Sequence, residues 1–120
     1  MKKTNPGSSS KASSFDREQY LYVTTRGRKT GRSHEIEIWF TERSGRFYII
    51  AEYGTANWLR NLQVTPEVTV RVAGESFAAR ARVISSENEA ELFRSVQELS
   101  QRKYGWGDGT IVELEPSERK

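Results

Sequence analysis

Strict alternation of side chains in short segments is the feature of this sequence that most constrains its fold. In the segment 34–40, HEIEIWF, every second residue from His34 to Phe40 would lie on one face of a strand, and two glutamates and Trp39 on the other. Similar runs recur along the chain between Gly, Pro and other turn residues. We assign strands to residues 20–25, 34–40, 46–51, 67–72, 76–84 and 110–115. The sequence therefore predicts a mainly β fold of about six mostly antiparallel strands.

Two helical segments are predicted to flank these strands. Thr55 or Asn57 would cap a short helix that ends before Pro66. Ser86, followed by Glu89, matches a capping box and would start a longer helix that runs to about Lys103. Hairpin strands with helices outside suggest a small closed or nearly closed barrel, whose interior is too narrow for a cofactor. A ligand would then lie in an external groove, which a second subunit would complete.

The composition excludes several classes of site. The 120 residues include no cysteine, which excludes disulfides and thiolate metal sites, and the single histidine, His34, argues against a metal centre. We therefore expect no metal. No apolar run approaches the ~18 residues of a membrane-spanning helix, and we predict a cytoplasmic protein. Residues 1–15 are predicted to be a flexible tail, because they are poor in apolar side chains, and residues 16–120 a single domain.

The connection between the first two predicted strands, TRGRKTGR at residues 25–32, contains four cations and two glycines. Glycines can adopt positive φ and turn successive N–H groups into one concavity, while Arg and Lys supply charge. This composition is typical of a site for an anion, with phosphate as the first candidate. The loop lacks the Walker A order, and a basic turn that only keeps a protein soluble has a similar composition.

Two patterns could suggest catalytic side chains, but both are better explained otherwise. Glu35 and Glu37 would lie about 6.6 to 7 Å apart on one strand face, a separation that suits an inverting glycosidase. Because a carboxylate pair on one strand is usually a solvated face, we reject this interpretation. His34 could act as a base near neutral pH, but no matched nucleophile is present, and a packed or hydrogen-bonded structural role is favoured.

Three arginines on neighbouring predicted strands suggest a different class of function. Arg71, Arg80 and Arg82, with nearby aromatic residues, could form a basic surface for single-stranded nucleic acid. The net charge of +3 is small, and glutamates on the same strands could balance these arginines. We therefore expect no nucleic-acid partner. A binding module without a cofactor, for nucleic acid or an apolar ligand, stays an alternative.

Three motifs occur in an order that resembles a known family. The loop GRKTG at 27–31 is followed by WLRNL at 58–62 and then by Pro66 and Val68. With the segments around them, they resemble the deazaflavin-dependent nitroreductase and quinone reductase family of the FMN-binding split-barrel superfamily, over residues 20–116. The resemblance implies a homodimeric split β-barrel that binds coenzyme F420 and transfers a hydride to a quinone, enone or nitro compound. FMN, whose single phosphate could occupy the same loop, is the alternative cofactor.

The resemblance also implies which residues form the site. Arg28, Lys29 and Thr30 would hold the phosphate of the cofactor. The other cofactor-binding residues would be His34, Glu35, Ile36, Glu37, Ala51, Glu52, Tyr53, Trp58 and Asn61. Tyr53 or Tyr104 would donate a proton to the acceptor. The chain differs from many relatives in having Ser33 and Glu37 where they have proline, and Thr65 where they have asparagine.

Overall fold

A computed structural model describes Phe15 and residues 17–117 of the chain. The predicted flexible tail lies outside these residues except for Phe15. The ring of Phe15 packs edge-on against the ring of Phe47, with centroids 5.7 Å apart, and is half-buried against the core. Phe15 therefore packs with the folded domain, and its ring adds apolar area to the core.

Seven antiparallel strands form one sheet in the described part of the chain. They are β1 (Tyr20–Arg26), β2 (Ser33–Trp39), β3 (Thr41–Arg43), β4 (Arg46–Ala51), β5 (Glu67–Val72), β6 (Glu75–Val83) and β7 (Thr110–Pro116). Their order in the sheet is β2-β1-β5-β6-β7-β4-β3. The predicted mainly β class and the antiparallel pairing are confirmed. The short strand β3 was not predicted from the sequence, because its residues continue directly from the alternation of β2.

The two ends of the sheet are neighbours along the chain. Only Phe40 separates β2, the first strand in the sheet order, from β3, the last. β2 pairs with β1, with Trp39 opposite Tyr20, whereas β3 pairs with β4, with Thr41 opposite Tyr48. One extended segment thus changes partner at Phe40 and curls the sheet into a split barrel. Within the described residues, the other edge of β2 has no strand partner.

Two tight turns set the register of the hairpins β3–β4 and β5–β6. Ser44 and Gly45 have φ of 56° and 78°, and Ala73 and Gly74 have φ of 53° and 81°. Positive φ at both central residues defines a type I′ turn, whose twist matches that of the strands on either side. The turn at 44–45 and the hairpin around 73–75 were both predicted.

Two regular helices lie outside the sheet in the described part: α1 (Asn57–Val64) and α2 (Ala90–Tyr104). The predicted cap of α1 is wrong, because its N-cap is Ala56 and no side chain caps it. The Asn57 side chain instead accepts a hydrogen bond from Arg28. Neither helix is long and apolar enough to cross a membrane.

The predicted capping box of α2 is wrong by one residue. Ser85, rather than Ser86, accepts the backbone N–H of Asn88 at 3.0 Å through Oγ, and the N–H of Ser85 donates to a carboxylate oxygen of Glu89 at 3.4 Å. These bonds order a turn that precedes α2, whose own N-cap is Glu89. The helix ends at Gly105, which has a φ of 77° typical of a helix C-cap.

Apolar side chains fill the inside of the barrel. The fully buried residues of this core include Leu21, Val23, Val70 and Leu114. A second cluster packs α2 against the outer face of the sheet and consists of Tyr48, Ile50, Ile84, Val96 and Ile111. Burial of each such side chain contributes about 1.5 to 3 kcal/mol. The inside of the barrel is therefore occupied by side chains, which accords with the expectation that a ligand would lie in an external groove.

Candidate functional site

The predicted anion loop is a tightly bonded connection between β1 and β2. The N–H of Gly27 donates to the carbonyl of Arg32 at 2.7 Å, and the N–H of Gly31 donates to the carbonyl of Gly27 at 2.8 Å. Gly31 has a φ of 77°, which favours glycine. A Cβ on Gly27 would lie 3.1 Å from Oγ1 of Thr30 and 3.2 Å from Nε2 of His34. Gly31 therefore suits the backbone angle of the loop, and Gly27 suits its tight packing against Thr30 and His34.

Arg28 is held against α1 by two asparagines. Its backbone N–H and its Nη1 both donate to Oδ1 of Asn61, at 3.2 and 2.8 Å. Its Nη2 donates to Oδ1 of Asn57 at 3.4 Å. Asn61 is buried, and its Nδ2 donates to Oγ1 of Thr25 at 3.3 Å. These bonds fix the guanidinium before any ligand arrives, which reduces the entropy that binding would cost.

A cavity of about 460 Å³, which we call the basic cavity, lies between this loop, the start of β2 and the start of α1. It is lined by Thr25, Gly27, Arg28, Lys29, Thr30, His34, Glu35, Ile36, Asn57, Trp58 and Asn61. Its one carboxylate belongs to Glu35, which forms an ion pair with Arg71 at 3.2 Å. Arg28 and Lys29 therefore give this cavity a positive character that suits an anion.

A second cavity, of about 640 Å³, lies between the end of β2, the end of β4 and α1, and we call it the aromatic cavity. It is lined by Tyr20, Glu37, Ile38, Trp39, Ile50, Ala51, Glu52, Tyr53, Ala56, Trp58 and Trp106. All three tryptophans of the chain are among these residues. A mostly apolar cavity of this size suits a flat organic ring.

The two cavities form adjacent parts of one groove along β2. Trp58, on α1, lines both of them. Residues 34–36 of β2 line the basic cavity, and residues 37–39 line the aromatic cavity. Since the outer edge of β2 has no strand partner among the described residues, its backbone N–H and C=O groups are available to a ligand in this groove.

Stacked rings build the wall of the aromatic cavity. The ring of Trp39 lies parallel to that of Tyr104, with centroids 4.4 Å apart and 5° between the planes. Trp106 contacts Trp39 edge to face at 6.4 Å. Trp106 follows the C-cap of α2, and its carbonyl accepts a hydrogen bond from Ser100. Offset and edge-to-face pairs of this kind stabilise a fixed arrangement of the rings.

The arginines predicted as a nucleic-acid surface are paired with carboxylates. Arg71 pairs with Glu35 and Arg80 with Glu67, at 3.2 and 2.6 Å. Arg82 bridges Glu89 and the buried Glu113, whose second oxygen accepts the hydroxyl of Tyr48 at 2.9 Å. Burial and this hydrogen bond raise the pKa of Tyr48 to about 12. These pairs balance the charge of the three arginines, as expected from the glutamates on the same strands.

No group of His, Cys, Asp and Glu side chains that could hold a metal ion occurs in the part of the chain that the structure describes.

Comparison with known proteins identifies the family of this chain. A model of the F420H2-dependent quinone reductase family matches residues 2–110. The chain belongs to this family. It is therefore an F420-dependent oxidoreductase, as the resemblance implied. The family match also extends into the N-terminal segment that lies outside the described residues.

Solved structures share the fold of this oxidoreductase at low sequence identity. A structure of an F420-H2-dependent reductase, FDR-A, has a TM-score of 0.60 and 19% identity, over 81% of this chain and 94% of the other. HutZ, a heme storage protein from Vibrio cholerae, has a TM-score of 0.74 and 18% identity, over 92% and 90%. A chain described as a domain-swapped dimer has a TM-score of 0.61 and 19% identity, over 83% and 81%. These likenesses confirm the split-barrel fold.

Most of the predicted site residues of the oxidoreductase line the groove. The basic cavity is lined by the three predicted phosphate-binding residues. The other predicted residues in its lining are His34, Glu35, Ile36, Trp58 and Asn61. Glu37, Ala51, Glu52 and Tyr53 line the aromatic cavity, where Trp58 also contributes. Asn61 lies behind Arg28, so its clearest role is to position that side chain. Trp39 and Trp106 also line the aromatic cavity, although they are not among the predicted cofactor-binding residues.

The two predicted proton donors lie in different surroundings. Tyr53 lines the aromatic cavity, and 68% of its surface is exposed. The hydroxyl of Tyr104 lies 2.7 and 2.8 Å from the carbonyl oxygens of Gln19 and Phe40 and accepts the N–H of Phe40 at 3.0 Å. Tyr104 does not line either cavity, and its hydroxyl joins α2 to the barrel. The geometry therefore favours Tyr53 over Tyr104.

Proposed function

We propose that this oxidoreductase binds F420H2 with the phosphate in the basic cavity and reduces a small planar acceptor in the aromatic cavity. The acceptor would be a quinone, an enone or a nitro compound. The observation that carries this proposal is the division of one groove into a basic and an aromatic part, with Trp58 between them. A cofactor whose anionic tail lies in the basic part would present its flat ring to an acceptor in the adjoining aromatic part.

The residues of the groove fit such a cofactor. A phosphate takes charge-assisted hydrogen bonds from Arg and Lys and weaker ones from hydroxyl groups, and Arg28, Lys29 and Thr30 offer all three kinds of donor. Asn61 and Asn57 hold the guanidinium of Arg28 toward this cavity. A side chain at position 27 would crowd Thr30 and His34, so Gly27 leaves them room to meet the ligand.

The protein's part in the reaction would be to bind and to orient. When bound, F420H2 supplies a hydride to the acceptor. The tryptophans and the isoleucines of the aromatic cavity would keep a flat acceptor in one orientation and exclude water from it. Tyr53 would hold the proton that the reduced acceptor takes up at its hydroxyl oxygen, because it is the predicted donor that lines this cavity.

Two broader proposals accompany this function. We propose a homodimer, which is supported by the fold shared with a chain described as a domain-swapped dimer and by the exposed rings of Tyr20, Trp39 and Tyr53. We also propose that the oxidoreductase works in the cytoplasm, which accords with the absence of cysteine.

FMN is the second candidate cofactor, because its single phosphate would suit the same basic cavity. Titration of the purified protein with F420 and with FMN, followed by absorbance, separates the two proposals. Tight binding of F420 without binding of FMN supports the first, and the opposite result supports the second. Binding of neither cofactor would overturn both.

A further inference from the structure

The aromatic cavity differs from the basic cavity in the sign of its charge. Glu37 and Glu52 line it, and no Arg, Lys or His is among the described residues that line it. Glu37 is on β2, and Glu52 directly follows the last residue of β4, so the two carboxylates come from different segments of the chain. A ligand in this cavity would meet negative charge contributed by both segments.

Neither carboxylate forms an ion pair among the described residues, and the cation nearest to Glu37 in these contacts is Arg71, whose guanidinium lies 4.1 Å from the ring centroid of Tyr22. Arg71 forms its ion pair with Glu35, whereas Glu37 accepts a hydrogen bond of 2.7 Å from the neutral hydroxyl of Tyr22. This hydrogen bond is the main cause of a raised pKa for Tyr22. Glu52 is exposed and forms no ion pair within the described part of the chain.

We propose that Glu37 and Glu52 make the aromatic cavity selective for neutral or cationic planar acceptors and discriminate against anionic ones. An anionic acceptor would lose hydration against the tryptophan rings and would be repelled by both carboxylates. The proposal rests on the proposed function and names its substrate class. In the reaction, F420H2 and a quinone give F420 and the hydroquinone, so that one hydride and one proton pass to the acceptor.

Three naphthoquinones that differ only in one substituent test this proposal: a neutral one, its sulfonate and a quaternary ammonium derivative. We would measure kcat/KM for each with F420H2 in the wild type, in Glu37→Gln, in Glu52→Gln and in the double variant. For each variant we would divide the kcat/KM of the neutral quinone by that of the sulfonate. A change in cofactor binding affects both values equally and cancels in this ratio. Glu87→Gln is the matched control, because Glu87 is exposed in the turn before α2 and lines neither cavity. Trp106, which lines the aromatic cavity, follows the opposite end of that helix, about 22 Å away.

A second measurement does not depend on turnover. Since all three tryptophans line the aromatic cavity, quenching of intrinsic fluorescence by each quinone reports binding there without cofactor. Trp58 also lines the basic cavity, so this titration uses the variant in which Arg28 and Lys29 are replaced by Ala and no longer attract the sulfonate. The quinone with the lowest kcat/KM should have the highest dissociation constant, so the sulfonate should bind least tightly.

We expect the wild type to prefer the neutral over the sulfonated quinone, and each Glu→Gln change to reduce this preference about three- to tenfold at low salt. Glu87→Gln should leave the preference unchanged. If both glutamine variants keep the wild-type preference, or if the wild type has none, the proposal is wrong. Failure to reduce even the neutral quinone would instead overturn the proposed function, while the fluorescence titration would still test the charge selectivity.

Discussion

The two ends of the groove are built in opposite ways. The basic cavity comes mostly from one hairpin connection and one turn of α1, and hydrogen bonds fix its cation in place. The aromatic cavity collects rings from Tyr20, Trp39, Trp58 and Trp106, which are distant in sequence and are held by stacking. We propose that the first end holds an anion through local charged contacts, whereas the second selects a flat ring mainly by shape, and the exposed Glu37 and Glu52 add a weaker effect of charge. Salt should therefore affect the first end more than the second.

The largest effect is expected at the basic end. Replacement of Arg28 and Lys29 by Ala should raise the Kd for F420 about a hundredfold or more, because each cation can make a charge-assisted hydrogen bond of about 1.5 to 3 kcal/mol. The same variant should reduce the salt dependence of Kd. Isothermal titration at two salt concentrations measures both quantities.

The matched control for this variant is the double replacement of Arg94 and Arg102 by Ala. Both arginines are exposed on α2 and line neither cavity, so that the control removes the same net charge. An equal loss of affinity in the two variants would mean that overall charge, rather than the loop, attracts the cofactor.

An intermediate effect is expected from Asn61→Ala. The change removes the acceptor that holds Arg28 and leaves Thr25 without its partner, so we expect an increase in Kd of about tenfold and a loss of stability of about 1 to 3 kcal/mol. Asn57→Ala is the control, because it removes only the 3.4 Å contact with Arg28. Thermal unfolding and cofactor titration of both variants check the prediction. Affinity that stays unchanged in Asn61→Ala would show that Arg28 needs no positioning.

The difference between the two ends also explains what could be predicted from the sequence. Gly27, Arg28 and Gly31 occur within five residues, so their chemistry was visible before any fold was known. Trp39 and Tyr104 are 65 positions apart and meet only because β2 and the end of α2 adjoin in space. No local pattern encodes that contact. The capping errors have a similar cause, since Asn57 is used by Arg28 from another element and not by its own helix.

The smallest effect is expected at the aromatic end. Trp39→Leu removes the stacking with Tyr104 and one wall of the cavity, and it should raise the KM for a neutral quinone about three- to tenfold, since an aromatic pair contributes about 0.5 to 1.5 kcal/mol beyond its buried area. Trp39→Phe, which keeps a ring, should recover most of this loss. The salt dependence of the Kd for F420 should stay at its wild-type value in both variants, because neither changes a charge. Steady-state kinetics and titration at two salt concentrations measure these effects. A changed salt dependence in Trp39→Leu would show that the two ends are coupled, with Trp58 as the residue they share.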